Sequence, residues 1–212
     1  MREHTRRLLP VAVAVVVASV CVAAPASAGS HEVAVGGSDS GSDHPVTATS
    51  IASPQRVYET QSGSSLSTGC SSTRLDLTVR SGASSGALAV VPGGSSTGCS
   101  GPLSVISHVH VGTWQLDLTG PATAGGADVV DGVLRHVRID QANAACRFSV
   151  VGEARVRFHE ATQRLEVVET GRSGRLRQSG VVGCLGQIRD GGAVDWKVTF
   201  DLASPEGVIR VR

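Results

Sequence analysis

The sequence predicts a nearly all-β protein, an antiparallel sandwich or barrel with two disulfides, preceded by a signal peptide and a flexible tail. Three observations lead to this prediction. Apolar and polar residues alternate with a period of two over much of the chain. Clusters of Gly and Ser interrupt the alternation at intervals typical of turns between strands. No long segment carries an apolar stripe of helical period.

The alternation is clearest near the C-terminus, where five apolar residues share one face of a predicted strand: Val194, Trp196, Val198, Phe200 and Leu202. Further predicted strands contain Leu75 to Val79, Trp114 to Leu118, Val133 to Ile139, Phe148 to Val150, Ala154 to Phe158, and Leu165 to Val167. The predicted turns are at 82–86, 92–94, 125–126 and 190–192. Trp114 and Trp196 fall on the apolar faces, so we expect both to anchor the core.

The first 28 residues have the features of a secretory signal peptide. Arg2, Arg6 and Arg7 precede an apolar run that ends before Pro25, and the small residues Ala26 and Ala28 form a cleavage motif. The run is shorter than the roughly 20 residues of a spanning helix, which disfavours a membrane anchor. Lipidation of Cys21 is a further alternative. We expect cleavage between Ala28 and Gly29, secretion, and no membrane span afterwards.

Residues 29–55 are rich in Gly, Ser, Thr and Asp and contain few large apolar side chains. Such a composition buries too little apolar surface to offset the entropy of ordering, so the sequence predicts a flexible tail. The remaining residues, 56–212, are predicted to form one disulfide-stabilised β domain.

The charge balance gives no sign of a nucleic-acid partner. The whole chain has 19 Lys and Arg against 18 Asp and Glu, and removal of the leader keeps the two signs close to equal. Asn143 is the sole asparagine, and the residues after it form no N-glycosylation motif. No cofactor is indicated by any motif.

Four cysteines follow the leader, namely Cys70, Cys99, Cys146 and Cys184. An even number in a secreted chain predicts two disulfides, for which three connectivities exist. Sequential pairing, Cys70 with Cys99 and Cys146 with Cys184, is favoured because each bridge would then close a loop about two strands long. A zinc site of four cysteines is the alternative, but the C-x-x-C spacing typical of such sites is absent.

Several short segments connect the chain to a family. These are Cys99-Ser100-Gly101-Pro102-Leu103, Gly112-Thr113-Trp114, Cys146 with Val150 and Gly152, and Gly183-Cys184-Leu185-Gly186. In their order and spacing, over roughly residues 68 to 205, the chain resembles small secreted actinobacterial proteins of uncharacterised function. Where that family tends to have a Gly-Asp pair after the last cysteine, this chain has Asp190-Gly191-Gly192. The resemblance implies a secreted, strand-rich body with four cysteines and implies no activity.

His108 and His110 are two apart on a predicted strand, so both imidazoles project from one face and form a candidate metal site. A third ligand would come from a neighbouring strand, with His136 and His159 as candidates. The alternative is a solvated strand face, because Leu103, Val105, Val109 and Val111 occupy the opposite face.

Five arginines form candidate contacts for anionic groups: Arg155, Arg157, Arg172, Arg175 and Arg177. Arginine pairs well with carboxylates and phosphates, including those of cell-wall polymers. The alternative is an ordinary solvated face and turn.

No nucleophile, acid and base occur together in a recognisable motif. Gly82-Ala83-Ser84-Ser85-Gly86 matches the G-x-S-x-G spacing, but no helix is predicted after the serine. The sequence therefore favours a non-enzymatic binding module with an extracellular or cell-envelope partner. A secreted hydrolase with a spatially assembled site, such as His136 with Asp131 or Asp140 and a serine, and a small-molecule carrier are the alternatives.

Overall fold

A computed structural model describes residues 31–84, 87–101, 104–120 and 128–212. The predicted leader and its cleavage point between Ala28 and Gly29 lie outside the described residues. Strands make up 68% of the described chain, and its one helical turn is a 3-10 segment at Cys184–Gly186. In this part of the chain no helix has the length and apolar character needed to cross a bilayer.

Seventeen strands follow one another in the described residues. They are β1 (His31–Val35), β2 (Asp43–Ser50), β3 (Gln55–Glu59), β4 (Ser65–Gly69), β5 (Ser72–Arg80), β6 (Gly82–Ser84), β7 (Ala87–Thr97), β8 (Ser100–Gly101), β9 (Ser104–Val105), β10 (Ser107–His110), β11 (Trp114–Leu118), β12 (Val129–Ala142), β13 (Cys146–His159), β14 (Arg164–Glu169), β15 (Leu176–Gly183), β16 (Val194–Ala203) and β17 (Ile209–Val211).

Eight strand positions close into an antiparallel barrel, which resolves the prediction of a sandwich or barrel. The order around the barrel is β14, β13, β12, β10 with β11, β7, β5, β2 and β16, and the pairing of β16 with β14 completes the circuit. β10 and β11 share one position because both lie between β7 and β12. Closure leaves these strands without a free edge along the circuit.

The remaining strands cover parts of the barrel. β15 pairs with the first half of β13, and β3 pairs with the first half of β16 and begins a sheet that continues through β4, β8 and β9. β1, β6 and β17 form a separate three-stranded sheet. The β3–β4 hairpin is important for the site, because it carries Arg56 and Tyr58 into the protein interior.

The core consists of the inward-facing residues that the alternation predicted. Trp114, Trp196 and Phe200 are almost completely buried, and the two indole rings meet edge to face with centroids 6.1 Å apart. The two predicted disulfides, Cys70–Cys99 and Cys146–Cys184, are confirmed. Both join residues inside the same core.

The predicted flexible tail is wrong from residue 31 onward. His31–Val35 forms β1, and Asp43–Ser50 forms β2, which is inserted into the barrel between β5 and β16. Val46 and Ala48 are buried in the core. The segment is ordered despite its poor apolar content because strands on both sides satisfy its backbone, and two small apolar residues suffice to fill its inner face.

Two predicted interruptions of the strands are also corrected. The segment 92–94 does not separate two strands but lies inside β7, at a bulge where β7 has one residue more than its partner β5. The two strands predicted around residues 148 and 154–158 are one continuous strand, β13. Gly152 joins the halves with φ of +131°, and a Cβ there would lie 1.9 Å from the carbonyl oxygen of Arg175. A glycine at this position lets β13 change its partner from β15 to β14.

Candidate functional site

Three of the five predicted arginines lie together in one groove. Arg155 and Arg157 project outward from β13, and Arg175 approaches them from the segment before β15. The groove has a volume of about 280 Å³ and is also lined by Asp131 and Thr119. We call this feature the arginine groove.

Each guanidinium in the arginine groove is held by one carboxylate. Nε of Arg155 is 3.3 Å from Oε2 of the fully buried Glu169, and Nε of Arg157 is 3.4 Å from Oδ1 of Asp131. Nη1 of Arg175 lies 4.0 Å from Oε2 of Glu153. A guanidinium has five N–H donors, so one carboxylate leaves donors available for a ligand. These ion pairs position the three guanidinium groups, while about half of each arginine side chain remains exposed.

The other two predicted arginines serve a different purpose. Arg172 donates to the carbonyl oxygen of Gly63 and to the hydroxyl of Ser65, and so braces the β3–β4 turn. Arg177 donates to the carbonyl oxygen of Gly191 over 3.1 Å. The predicted set of five is therefore not one surface, because the arginine groove contains neither of these two residues.

The face of β10 that carries His108 points into the protein, whereas the alternative interpretation placed it in solvent. His108 is 8% exposed and points into the protein, whereas Val109 is 54% exposed. Nδ1 of His108 lies 2.8 Å from Nη1 of Arg56 and 3.2 Å from Sγ of Cys70. Because a guanidinium can only donate, Nδ1 accepts this hydrogen bond and the ring proton is on Nε2. Polar residues thus occupy the inner face of β10.

This environment keeps the His108 imidazole neutral. Burial first, and then the positive charge of Arg56, lower the pKa of His108 to about 3, and Gln141 on the neighbouring strand opposes this shift. His110 lies on the same face, as predicted, and its ring stacks on Trp114 with centroids 4.0 Å apart. Burial also lowers the pKa of His110.

The surroundings of His108 are unfavourable for a metal cation. Among the described residues, the potential ligand cluster comprises Cys70, Cys99 and His108, with neither His136 nor His159. The two cysteines are joined in a disulfide and so offer no thiolate. The guanidinium of Arg56 beside Nδ1 would repel a cation. The metal site at His108 and His110 stays a prediction, and the geometry argues against it.

A serine, a histidine and a glutamate that are distant in sequence meet beside the three-stranded sheet. Nε2 of His44 lies 3.0 Å from Oγ of Ser81, and Nδ1 lies 2.6 Å from Oε2 of Glu206. His44 comes from β2, Ser81 lies between β5 and β6, and Glu206 lies between β16 and β17. These are the contacts of a relay in which a carboxylate orients an imidazole that faces a hydroxyl.

The Ser81 hydroxyl has further partners within the protein. It accepts a hydrogen bond from the backbone N–H of Ser42 over 3.1 Å and lies 3.3 Å from the carbonyl oxygen of the same residue. Ser81 and His44 are both buried. The network therefore also ties the three-stranded sheet to the barrel.

Sequence reasoning missed this relay because no local motif marks it. His44 lies in the segment that composition predicted to be flexible, and the chain separates the three residues widely. The combinations that the sequence suggested are occupied otherwise: Asp131 pairs with Arg157, and Asp140 with Arg138 and Ser149. In the G-x-S-x-G segment, Gly82–Ser84 is strand β6, and Ser85 and Gly86 lie outside the described residues.

Comparisons with known proteins give no match: no family model, no curated protein and no solved structure is significantly similar to this chain. The resemblance to secreted actinobacterial proteins stays a prediction. The functional argument therefore depends on the geometry of the sites described above.

Proposed function

We propose that the protein is a secreted, non-enzymatic binding module that contacts anionic groups of an extracellular or cell-envelope partner. The observation that carries this proposal is the arginine groove, in which Arg155, Arg157 and Arg175 converge. Two disulfides support an oxidising compartment outside the cytoplasm, in agreement with the predicted leader.

The chemistry of the arginine groove favours a carboxylate or phosphate ligand. Its lining contains three guanidinium groups and one carboxylate, that of Asp131. Planar guanidinium forks match the geometry of carboxylates and phosphates. The volume of about 280 Å³ is near the lower end of small-molecule pockets, about 300 Å³. One unit of an acidic polymer, such as an acidic sugar or a phosphodiester, fits this description.

Binding to two immobilised polymers, polygalacturonate and polyphosphate, tests the proposal. The informative variant is Arg157→Gln with Arg175→Gln, in which Arg155 is kept because its loss would leave the buried Glu169 without its arginine partner. A matched control is Arg74→Gln with Arg80→Gln. Both control residues are exposed, lie on β5 and pair with a single carboxylate each, so the change in net charge is identical.

We expect the groove variant to bind about 2- to 30-fold more weakly than the wild type, because two exposed ion pairs with the ligand are lost and each contributes about 0.2–1 kcal/mol. The control should change by less than about twofold by the same reasoning. Wild-type affinity should fall as salt rises, since salt screens exposed charges. Equal losses in the two double variants, or no binding by the wild type at low salt, would contradict the proposal.

The relay of Ser81, His44 and Glu206 favours a second candidate function, that of a secreted serine hydrolase. The separations of 3.0 Å and 2.6 Å place the imidazole to accept the serine proton while the carboxylate orients the ring. Catalysis would require Ser81 to leave its contact with Ser42 and meet a substrate carbonyl.

A fluorophosphonate probe tests this second candidate, because it labels only a serine that a neighbouring base activates. If the protein is a hydrolase, labelling of the wild type should be lost in both Ser81→Ala and His44→Gln. Ser67→Ala, at an exposed serine of β4, is the control and should label normally. An unlabelled wild type would exclude a nucleophilic role for Ser81 and leave the network a structural one.

A further inference from the structure

The interior of the protein contains a guanidinium without a carboxylate partner. Arg56 on β3 is 2% exposed and lies opposite Trp196 of β16, with its guanidinium carbon 5.0 Å from the indole centroid. In the described part of the chain, the ion pairs of arginines with Asp and Glu do not include Arg56. Arginine stays charged when buried, and an uncompensated buried charge is strongly unfavourable.

The titratable neighbours of Arg56 supply no negative charge. His108 accepts a hydrogen bond from it as a neutral imidazole. Burial raises the pKa of the Tyr58 hydroxyl, against the opposing effects of Arg56 and of the hydrogen bonds with Gln141 and Thr68, so the phenol remains neutral. The π face of Trp196 attracts the cation but carries no net charge. Within residues 31–84, 87–101, 104–120 and 128–212, the charge of Arg56 is therefore uncompensated.

A small cavity lies beside Arg56, and four of the residues that line it have a buried polar atom without a hydrogen-bond partner among the described residues. Its volume is about 10 Å³, and its walls combine polar residues, among them Arg56, His108, His110 and Trp196, with the apolar Leu75 and Ile139. Four buried atoms of these walls have no hydrogen-bond partner among the described residues: Nε of Arg56, Nε2 of His108, Nε2 of His110 and Nε1 of Trp196. Buried polar atoms without partners are rare, and four around one cavity point to a missing ligand.

The unpaired atoms are mainly donors. Nε of Arg56 and Nε1 of Trp196 can only donate, and Nε2 of His108 carries the ring proton because Nδ1 accepts from Arg56. A water molecule would accept two of these hydrogen bonds at most and would leave the charge uncompensated. An anion can accept from all three of these donors and neutralises the guanidinium.

We propose that this cavity is a binding site for a monovalent anion of about the size of a water molecule, of the halide class. The size follows from the volume, because about 10–15 Å³ corresponds to one water-sized occupant. The ion reaches the site past Gly94, Ser95, Ser96 and His110, the wall residues that are at least partly exposed. This interior site is distinct from the arginine groove, and neither proposal depends on the other.

Crystals of the protein soaked in sodium bromide give the direct test by anomalous diffraction. We expect a bromide peak within hydrogen-bond distance of Nε of Arg56 and Nε1 of Trp196. The absence of a peak in this cavity, with bromide bound elsewhere or nowhere, would overturn the proposal. Soaks in sodium formate form a second arm: density for formate in place of halide would reassign the ligand to small carboxylates and overturn the halide assignment.

Thermal unfolding gives an independent test in solution. At constant ionic strength, wild-type Tm should be several degrees higher in sodium chloride or bromide than in sodium gluconate, whose anion is too large for the cavity, because a ligand of the folded state stabilises it by mass action. Arg56→Met should lose this difference, and Arg74→Met, at an exposed arginine of β5, should keep it. Trp196→Phe removes one donor and should reduce the difference even if Arg56→Met does not fold. An identical Tm of the wild type in the three salts would refute the site.

Discussion

Removal of the Cys146–Cys184 disulfide should destabilise the protein substantially, and the structure allows the magnitude to be worked out. The bridge joins residues 38 positions apart. Closing a loop of this length removes about 13 cal/mol/K of entropy from the unfolded chain, which corresponds to about 3.9 kcal/mol at 25 °C. Both sulfur atoms belong to buried residues, so replacement by alanine keeps the site apolar and changes mainly the loop constraint.

The assay is denaturant unfolding of the double variant Cys146→Ala with Cys184→Ala, followed by tryptophan fluorescence. Trp114 and Trp196 are both 1% exposed in the folded state, so their emission reports loss of the core. The matched comparison is Cys70→Ala with Cys99→Ala, whose loop of 29 positions gives about 3.6 kcal/mol. A loss below about 1 kcal/mol in either variant would refute the assumption that the bridges act by constraining the unfolded chain.

Three further predictions concern single residues. The pKa of His108 is about 3 in the folded protein and near 6.5 when unfolded, so the unfolded chain binds the extra proton between these pH values. The free energy of unfolding should therefore be highest above pH 6.5 and fall by about 1.4 kcal/mol per pH unit below it, as measured by urea unfolding at several pH values. His108→Gln should flatten this slope. Phe200→Ala should lower the free energy of unfolding by about 3–5 kcal/mol, and Val109→Ala, at an exposed site, by less than about 0.5 kcal/mol; equal effects would contradict the assigned faces. Gly152→Ala should lower Tm more than Gly171→Ala, where both glycines have positive φ but only Gly152 meets the backbone of Arg175.

The strands were predictable because each buries one face. Val194 to Leu202 alternates in sequence, and the same alternation appears as burial along β16. The pairing of the cysteines was predictable because each bridge closes a short loop; in the structure each bridge lies at the end of two paired strands, β4 with β8 and β13 with β15. Closure of the barrel could not be predicted, because alternation reports which face of a strand is buried and is silent about which strands pair.

The errors of prediction share one physical cause. Composition measures how much apolar surface a segment itself can bury. β2 is ordered by its pairing with β5 and β16, so it needs few apolar residues of its own. The orientation of β10 is likewise set by its neighbouring strands: Val109 faces solvent and His108 faces inward, the reverse of what their hydrophobicity predicts. A partner for His108, namely Arg56, comes from a strand about 50 residues earlier. Such pairs follow from topology, which local patterns do not encode.

The position of β2 in the barrel has a consequence for the order of folding. Residues 47–50 pair with residues 200–203, so the circuit cannot close until nearly the whole chain is available. During synthesis from the N-terminus, β5 is available to pair with β2 well before β16 is, so the other edge of β2 stays open in the meantime. Open strand edges are sites of intermolecular pairing, so this interval is the stage at which the chain is most exposed to aggregation. A nascent chain that stops before β16 would keep that edge open indefinitely.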